Sequence, residues 1–214
     1  MAEIYIPKKG ERVEFASRFV KKSDRLLDIG CGDGILAYFI RNKVRALYGI
    51  DKSKRELEKA RKNKFKTYLL DIDSQKFPFE DDFFDSITCL DVIEHVRDPL
   101  FLLNESYRVL KRNGSLILST PNIRFSDHLY KLFAKGVFPK TSEDSVLYDG
   151  GHIHFFTFTD IKNLLNQCFF IITGEEGIIN KPNRGWKGKV LENLLGKKFM
   201  LEFRSPGILM VAKK

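Results

Sequence analysis

The sequence predicts a doubly wound α/β fold, with a mostly parallel β-sheet, helices on both faces and an antiparallel strand at the C-terminus. Two observations predict it. Short apolar segments alternate with helical segments along most of the chain, and a glycine-rich turn follows the first apolar segment. With 214 residues, the chain is long enough for one such domain and too short for two. We therefore predict a single domain over residues 1–214.

The N-terminal segment, residues 1–24, is predicted to form a covering helix over residues 10–22. Its apolar residues recur at the spacing of one helix face: Val13, Phe15, Ala16, Phe19 and Val20. After this helix, short apolar runs predict strands at 25–30, 46–51, 67–72, 83–92, 115–122, 169–176 and 207–214. Helical patterns lie between them at 35–43, 53–62, 99–111 and 159–168. Strands alternating with helices in this way are typical of a parallel sheet.

Two segments interrupt this alternation. Residues 123–156 are rich in aromatic side chains, and residues 177–206 are basic and contain Trp186. Because connections longer than usual often carry function, we predict that both segments form walls of a substrate pocket. The alternative is local packing of surplus apolar side chains on a loop.

The formal net charge of +9 is compatible with an acidic partner such as a nucleic acid or a phosphorylated substrate. About half of the excess lies between residues 181 and 204. No apolar run approaches the roughly 20 residues of a membrane span, and the N-terminus lacks the apolar core of a secretory signal. We therefore expect no transmembrane segment and a cytoplasmic location. The three cysteines, without paired spacing, indicate reduced thiols rather than disulfides.

The glycine-rich turn reads Asp28-Ile29-Gly30-Cys31-Gly32-Asp33-Gly34. Glycines allow a tight turn and close approach of a ligand, while free N–H groups at the start of the next helix favour an anionic group. A dinucleotide fingerprint would need glycine or alanine where this chain has Ile35. About 20 residues further along, Asp51 ends the second strand, where a carboxylate can bind both ribose hydroxyls of a nucleoside.

From about residue 25 to 176 the sequence resembles the class I S-adenosylmethionine-dependent methyltransferases, which have a Rossmann-like fold. The resemblance is strongest to the type 11 subgroup of ubiquinone-biosynthesis O-methyltransferases and MetW-like proteins. It rests on six motifs in order: LLDIGCGDG, YGIDKS, DIDSQKFPFEDDFFDSI, LDVIEHVRDP, VLKRNGSLILSTPN and HIHFFTFTDIKNLL.

The resemblance implies S-adenosylmethionine as cofactor, with S-adenosylhomocysteine as product. Gly30, Cys31 and Gly32 would lie against its methionine part, with Asp28 reaching the amino group through water. The residues implied for the nucleoside and the region of the methyl donor are Asp51, Lys52, Asp71, Ile72 and Leu90. Asp73 is the alternative to Asp71, because the spacing to the Pro-Phe pair varies in the family.

Catalysis by this family depends mainly on positioning, with a base where the acceptor must lose a proton. The candidates for that base are His95, His152 and His154. We assign no metal ligand, with one alternative: a divalent metal site formed by Asp91, Glu94, His95 and His152, with His154 as a substitute. The string DVIEH followed by HIHFF resembles the metal-binding pattern of small-RNA 3′-end 2′-O-methyltransferases. A helix after the fourth strand would bring Asp91, Glu94 and His95 onto one face.

Three functions remain open. The first is O- or N-methylation of a small molecule, such as a lipid or sugar intermediate. The second is 2′-O-methylation of RNA, which the basic 181–204 segment and a metal would favour. The third is a binding module without catalysis, which would dock a partner protein or a membrane surface through the amphipathic part of the second insertion.

Overall fold

The computed structural model describes residues 12–142, 148–178 and 196–214. Its strands are β1 (Ser23–Ile29), β2 (Val44–Asp51), β3 (Phe65–Leu69), β4 (Phe84–Leu90), β5 (Leu110–Pro121), β6 (Ile171–Ile178) and β7 (Gly207–Lys213). Its helices are α1 (Arg12–Ser17), α2 (Leu36–Ile40), α3 (Lys54–Lys62), α4 (Pro99–Val109), α5 (Ser126–Lys135), α6 (Phe158–Gln167) and α7 (Lys197–Arg204), with a short 3₁₀ turn at Tyr148–Gly151.

The seven described strands form one sheet in the order β3-β2-β1-β4-β5-β7-β6. The first five pair in parallel, whereas β7 is antiparallel to both of its neighbours. The predicted fold class, including the antiparallel C-terminal strand, is therefore confirmed. Because the order reverses at β1 and β4, the carboxyl ends of these two strands border a crevice of the kind in which doubly wound sheets bind ligands.

Each face of the sheet carries its own buried core. Leu26 and Leu27 are consecutive in β1 and both fully buried, and they belong to different apolar clusters. This follows from the alternation of side chains along a strand that is covered on both faces. One cluster includes residues of α4 and α6, and the other includes residues of α1, α2 and α3.

At the carboxyl edge of the sheet, side chains cap the N-termini of three helices. Ser53 accepts the N–H of Glu56 at the start of α3, and Asp98 accepts two N–H groups at the start of α4. At α6, Thr157 and Asp160 form a reciprocal capping box. The capped ends hold the loops between them in place.

Several boundaries differ from the predicted ones. The N-terminal helix ends at Ser17, and α2 has only five residues. Residues 91–98 form a turn, although the fourth strand was predicted to extend to residue 92. The helix that the metal alternative would need directly after this strand is not formed, and α4 begins at Pro99. Across the described ranges, no helix combines the length and the apolar character that crossing a bilayer requires. The three cysteines are buried, unpaired thiols, as predicted.

Candidate functional site

The glycine turn after β1 combines a crowded position with an open one. Gly30 has a φ of +66°, and a Cβ there would clash with a methyl group of Val92. Gly32 has a φ of +50°, but a Cβ there would meet no atom of the described residues within 4 Å. Both positions need glycine for their backbone conformation. Of the two, Gly32 faces space that a ligand can fill.

Asp51, at the end of β2, holds this turn in place. One of its carboxylate oxygens accepts the backbone N–H of Gly32 at 2.9 Å, and the other accepts that of Ser53 at 2.8 Å. A carboxylate has about four acceptor sites, so each oxygen can still accept a hydroxyl. Asp51 therefore remains competent to bind a ribose.

The predicted anion site at the start of α2 is not supported. Gly34 donates its N–H to the carbonyl of Cys31 at 2.9 Å, and Ile35 donates to the carboxylate of Asp33 at 3.2 Å. With the N–H of Gly32 bound to Asp51, three of the amide groups on which the prediction relied are occupied. A helix of five residues also has only a small dipole.

A cleft of about 360 Å³ opens at the carboxyl edge of the sheet. Five of the predicted cofactor residues line it: Gly30, Asp51, Lys52, Asp71 and Ile72. Asp73, the alternative to Asp71, lines it too. The other side of the cleft is formed by Asp91, Val92, His95, Val96 and Gly150. The region predicted for the nucleoside is thus continuous with a predicted catalytic histidine.

The carboxylates of Asp71 and Asp73 are fixed by backbone groups. Asp71 accepts the N–H of Asp73 at 3.1 Å, and Asp73 accepts the N–H of Arg97 at 2.7 Å. The second bond joins the loop after β3 to the turn after β4. It therefore fixes the width of the cleft between its two sides.

Three predicted cofactor residues, Asp28, Cys31 and Leu90, are not among those that line the cleft. Asp28 is buried and accepts a 2.6 Å hydrogen bond from the hydroxyl of Thr88. Burial raises the pKa of Asp28 to about 7, although the Thr88 bond opposes the change. Cys31 is also buried, and Leu90 packs against the core cluster on the α1 side of the sheet. Their roles toward a cofactor stay predictions.

His95 lies in the turn after β4 and contacts the first insertion. Its Nδ1 lies 3.2 Å from the carbonyl oxygen of Gly151. A carbonyl only accepts, so Nδ1 carries the proton, and in the neutral ring Nε2 has a free lone pair. The ring of His152 packs edge-on against that of His95, with 4.6 Å between the centroids.

His152 is oriented by two residues that the sequence did not identify. Its Nδ1 lies 2.6 Å from the hydroxyl oxygen of Thr141, and that hydroxyl lies 2.9 Å from a carboxylate oxygen of Asp149. Because an ionised carboxylate only accepts, Thr141 donates to Asp149 and accepts from Nδ1–H of His152. The Nε2 of His152 is therefore also unprotonated. The only sequence signal was the turn-forming string Asp149-Gly150-Gly151 directly before His152.

Glu94 completes this end of the site. Its side chain is buried, and one oxygen accepts the hydroxyl of Thr120 at 3.0 Å. The other oxygen, Oε1, has no hydrogen-bond partner among the residues that the structure describes and lies 3.8 Å from Nε2 of His152. Burial, with the charge of Asp91, raises the pKa of Glu94 to about 8, while burial and His95 lower that of His152. Both changes favour a carboxylic acid beside a neutral imidazole over an ion pair.

One ligand atom from each of Glu94, His95 and His152 lies within 4.8 Å of the others, close enough to hold one metal ion. Of the four predicted ligands, Asp91 is outside this group. Its carboxylate accepts a hydrogen bond from Arg12 at 2.9 Å and another from the hydroxyl of Ser119 at 3.1 Å. The backbone of Asp91 has a φ of +54°. The helix that would bring Asp91 together with the other three does not form, and Asp91 bonds Arg12 and Ser119 instead.

His154, the remaining catalytic candidate, is separate from this group. Its ring stacks on Phe156 with 5.7 Å between the centroids, and within the described ranges its buried Nε2 has no hydrogen-bond partner. Its backbone N–H donates to the carbonyl of Glu94. His154 therefore supports the turn after β4 through its backbone, and its ring does not line the cleft.

The two insertions contribute differently. The first supplies Gly150 to the cleft and Gly151 to His95, although residues 143–147 lie outside the described residues. Residues 179–195 of the second, with Trp186 and most of the basic segment, also lie outside them. Its described part includes α7, which is tied to Asn122 and Arg124 through Glu202, and supplies no residue to the cleft.

The sequence matches a family model described as "Methyltransferase domain" over residues 1–168. Among curated proteins it is similar to a ubiquinone biosynthesis O-methyltransferase of Histophilus somni, 33% identical over 131 residues, or 52% of this chain and 55% of that one. A protein of the same name from Aliivibrio fischeri is 26% identical over 74% of this chain and 68% of its own. The chain spans about half the length of the first of these relatives.

Solved structures share the fold. One is a putative methyltransferase of Bacillus halodurans, with a TM-score of 0.66 at 19% identity, covering 95% of this chain and 98% of that one. Another is an S-adenosylmethionine-dependent methyltransferase of Thermotoga maritima, described as a possible histamine N-methyltransferase, with a TM-score of 0.66 at 21% identity, covering 94% and 87%. Since the matched family model covers well over half of the sequence, this chain belongs to the class I S-adenosylmethionine-dependent methyltransferases.

Proposed function

We propose that this protein transfers the methyl group of S-adenosylmethionine to an oxygen or nitrogen atom of a small molecule. One observation carries the proposal: a single cleft joins Asp51 and Asp71, which suit a nucleoside, to His95, which suits an acceptor. A ligand that occupies the first end has its other end beside the imidazole. The names of the curated relatives favour oxygen as the acceptor atom.

The residues present fit the cofactor. Gly32 borders open space, so that the methionine part can approach the backbone closely. Asp51 would accept the ribose hydroxyls with the acceptor sites that Gly32 and Ser53 leave free. Asp71 and Ile72 would border the adenine, and Lys52 would lie beside it. Asp28, close behind the turn, would pair with the amino group through water.

The cofactor, when bound, supplies a methyl group activated by a positively charged sulfur. The protein then has to hold the acceptor in line with that methyl group. Such positioning can lower the activation barrier by about 7–11 kcal/mol. Where the acceptor is a hydroxyl, it must also lose its proton. His95 lines the cleft, and because its Nδ1 donates to Gly151, the lone pair of the neutral ring is on Nε2; this nitrogen is the base that we propose.

A divalent metal is a second candidate for activating the acceptor. Oε1 of Glu94 is buried and has no hydrogen-bond partner among the described residues, and Nε2 of His152 lies 3.8 Å from it. One ring nitrogen of His95 lies within 4.8 Å of a ligand atom of each of the other two residues. Each histidine is oriented through its Nδ1 by another group, as metal-binding histidines usually are. Oxygen and imidazole ligands together suit manganese, iron, zinc or magnesium. Such a metal would bind the acceptor oxygen and favour its ionised form.

Isothermal calorimetry with S-adenosylhomocysteine tests the cofactor assignment. A panel of catechols, phenols, amines and a short RNA, incubated with S-adenosylmethionine carrying a labelled methyl group, tests the acceptor. We expect cofactor binding and label transfer to one class of small molecules. Label transfer to RNA alone would favour the 2′-O-methylation alternative, and binding without any transfer would favour a binding module. Absence of cofactor binding would contradict the proposal as a whole.

A further inference from the structure

A second cleft, of about 560 Å³, opens at the opposite edge of the sheet from the glycine turn. Its walls come from residues near the starts of β1, β2, β3 and β5, where the parallel strands begin. Five of its lining side chains are cations: Arg25, Arg45, Lys64, Lys66 and Lys111. The proposed methyl transfer uses none of them.

The strand register places two of these cations on either side of Tyr48. Arg25 pairs with Ala46 of β2, and Lys66 of β3 pairs with Tyr48. Ala46 and Tyr48 are two residues apart in β2, so their side chains lie on the same face of the sheet. Arg25 and Lys66 therefore flank a floor formed by Ala46 and Tyr48. They come from strands on opposite sides of β2, which separates them by about 10 Å.

Contacts within the protein hold both cations in place. The guanidinium of Arg25 lies 4.3 Å from the centroid of the Phe83 ring, and Nζ of Lys66 lies 3.4 Å from the hydroxyl oxygen of Tyr48. Neither contact neutralises the positive charge. A ligand that binds here therefore meets side chains that are already ordered, which lowers the entropy cost of binding.

The cleft has a clear excess of positive charge. Asp85 forms an ion pair with Lys111, at 2.6 Å, and also accepts hydrogen bonds from the backbone N–H groups of Asp24 and Arg25. These bonds lower the pKa of Asp85, which keeps it ionised. With the negative charges of Asp24 and Asp85 subtracted from the five cations, the cleft has a net charge of +3. Arg45 and Lys66 have no ion-pair partner in the part of the chain that the structure describes.

We propose that this cleft binds a compound with clustered phosphate groups, of the pyrophosphate or nucleoside triphosphate type. Its cations come from separate strands, so one carboxylate cannot reach them together, whereas linked phosphates present charge along a chain. Arginine adds a planar fork that suits phosphate oxygens. The volume falls within the range of about 300–1,000 Å³ that is common for small-molecule sites. This inference is independent of the proposed methyl transfer.

Calorimetry on the full chain with inorganic pyrophosphate tests the proposal. We expect the parent protein to bind, and Arg45→Gln and Lys66→Gln each to weaken binding about tenfold, because each removes a charge-assisted contact. Lys135→Gln removes an equal charge from an exposed position on α5 and should leave the affinity unchanged. An unchanged midpoint of thermal unfolding in all three variants would show that the fold is retained.

Three outcomes would overturn the proposal. The first is no binding of pyrophosphate by the parent protein. The second is an equal loss in Lys135→Gln, which would indicate a general effect of net charge. The third concerns a single-stranded RNA of about twelve nucleotides, titrated in parallel at two salt concentrations. If RNA binds more tightly than pyrophosphate and loses affinity in the same cleft variants, the occupant is a nucleic acid rather than a small phosphate compound.

Discussion

The carboxylate of Asp51 accepts the backbone N–H of Gly32 at 2.9 Å, and this bond joins the end of β2 to the turn that follows β1. Its second oxygen accepts the N–H of Ser53, which caps α3. Asp51 thus shapes the turn as well as lining the cleft. A substitution at this position has a structural effect and a ligand effect, which two variants can separate.

Asp51→Ala should lower the affinity for S-adenosylhomocysteine by about a hundredfold or more, because it removes both ribose contacts and both bonds to the backbone. Asp51→Asn keeps one acceptor oxygen for the backbone and should lose less stability than Asp51→Ala. Calorimetry and thermal unfolding measure the two effects. Asp81→Asn, at an exposed carboxylate, is the control. Parent affinity in Asp51→Ala would disprove the assignment of the ribose site.

Thr141→Val should reduce kcat by roughly ten- to a hundredfold with little change in cofactor affinity, because a valine side chain cannot accept the hydrogen bond from Nδ1–H of His152. The tautomer of His152 can be read from ¹⁵N chemical shifts independently of activity. Thr173→Val, whose hydroxyl bonds a carbonyl of β7, is the matched control. If the shifts show Nδ1 protonated in parent and variant alike, Thr141 does not set the tautomer.

Mn²⁺ titration tests the group formed by Glu94, His95 and His152. Glu94→Gln should abolish binding, since the amide supplies no charge. The raised pKa of Glu94, about 8, predicts that affinity increases as the pH rises from about 6.5 to about 8.5, because the carboxyl must lose its proton to bind. Activity that is lost in His95→Gln but unaffected by chelator would instead identify His95 as a base.

Asp28→Asn should stabilise the apo protein at neutral pH relative to the parent. The pKa of Asp28 is raised from 3.8 to about 7 in the folded state, so the folded form keeps a proton that the unfolded form releases between these values. Parent stability therefore falls as the pH rises from about 4 to about 7, by an amount on the order of a few kcal/mol, and is flat above. The amide that replaces the carboxyl in the variant has no proton to release.

Urea unfolding at about pH 4 and about pH 8 measures this difference. The difference in free energy of unfolding between Asp28→Asn and the parent should increase from the lower pH to the higher one. Glu58→Gln, at an exposed carboxyl on α3, should show no comparable growth. A constant difference between parent and Asp28→Asn at all pH values would show that the carboxyl is ionised throughout.

Much of the fold could be predicted from the sequence because the signals are local. The apolar runs of β1 and β2 and the helical pattern of α3 each lie within ten residues. Asp51 and His95 were predicted for a related reason, since they closely follow strands whose carboxyl ends meet at one edge of the sheet. A chain with this alternation has few alternative topologies.

The remaining features depend on contacts between distant segments. Thr141 and Asp149 meet His152 because Asp149, Gly150 and Gly151 all adopt positive φ values, of 49°, 65° and 80°. A sequence pattern does not report such a loop path. The helix after β4 that the metal alternative needed is absent for a similar reason. Asp91 adopts a φ of +54° while bound to Arg12 of α1, and this contact overrides the local spacing.

The burial of Cys31 gives this protein an internal reporter of local opening. Its thiol lies below Gly49, where a Cβ would come within 2.5 Å of the sulfur, and burial raises its pKa. Cys89 and Cys168 are equally buried on the other side of the molecule's sheet. Alkylation must therefore wait for a fluctuation that exposes each thiol. Labelling rates followed by mass spectrometry would then time the opening of the glycine turn at Cys31 separately from that of the opposite core.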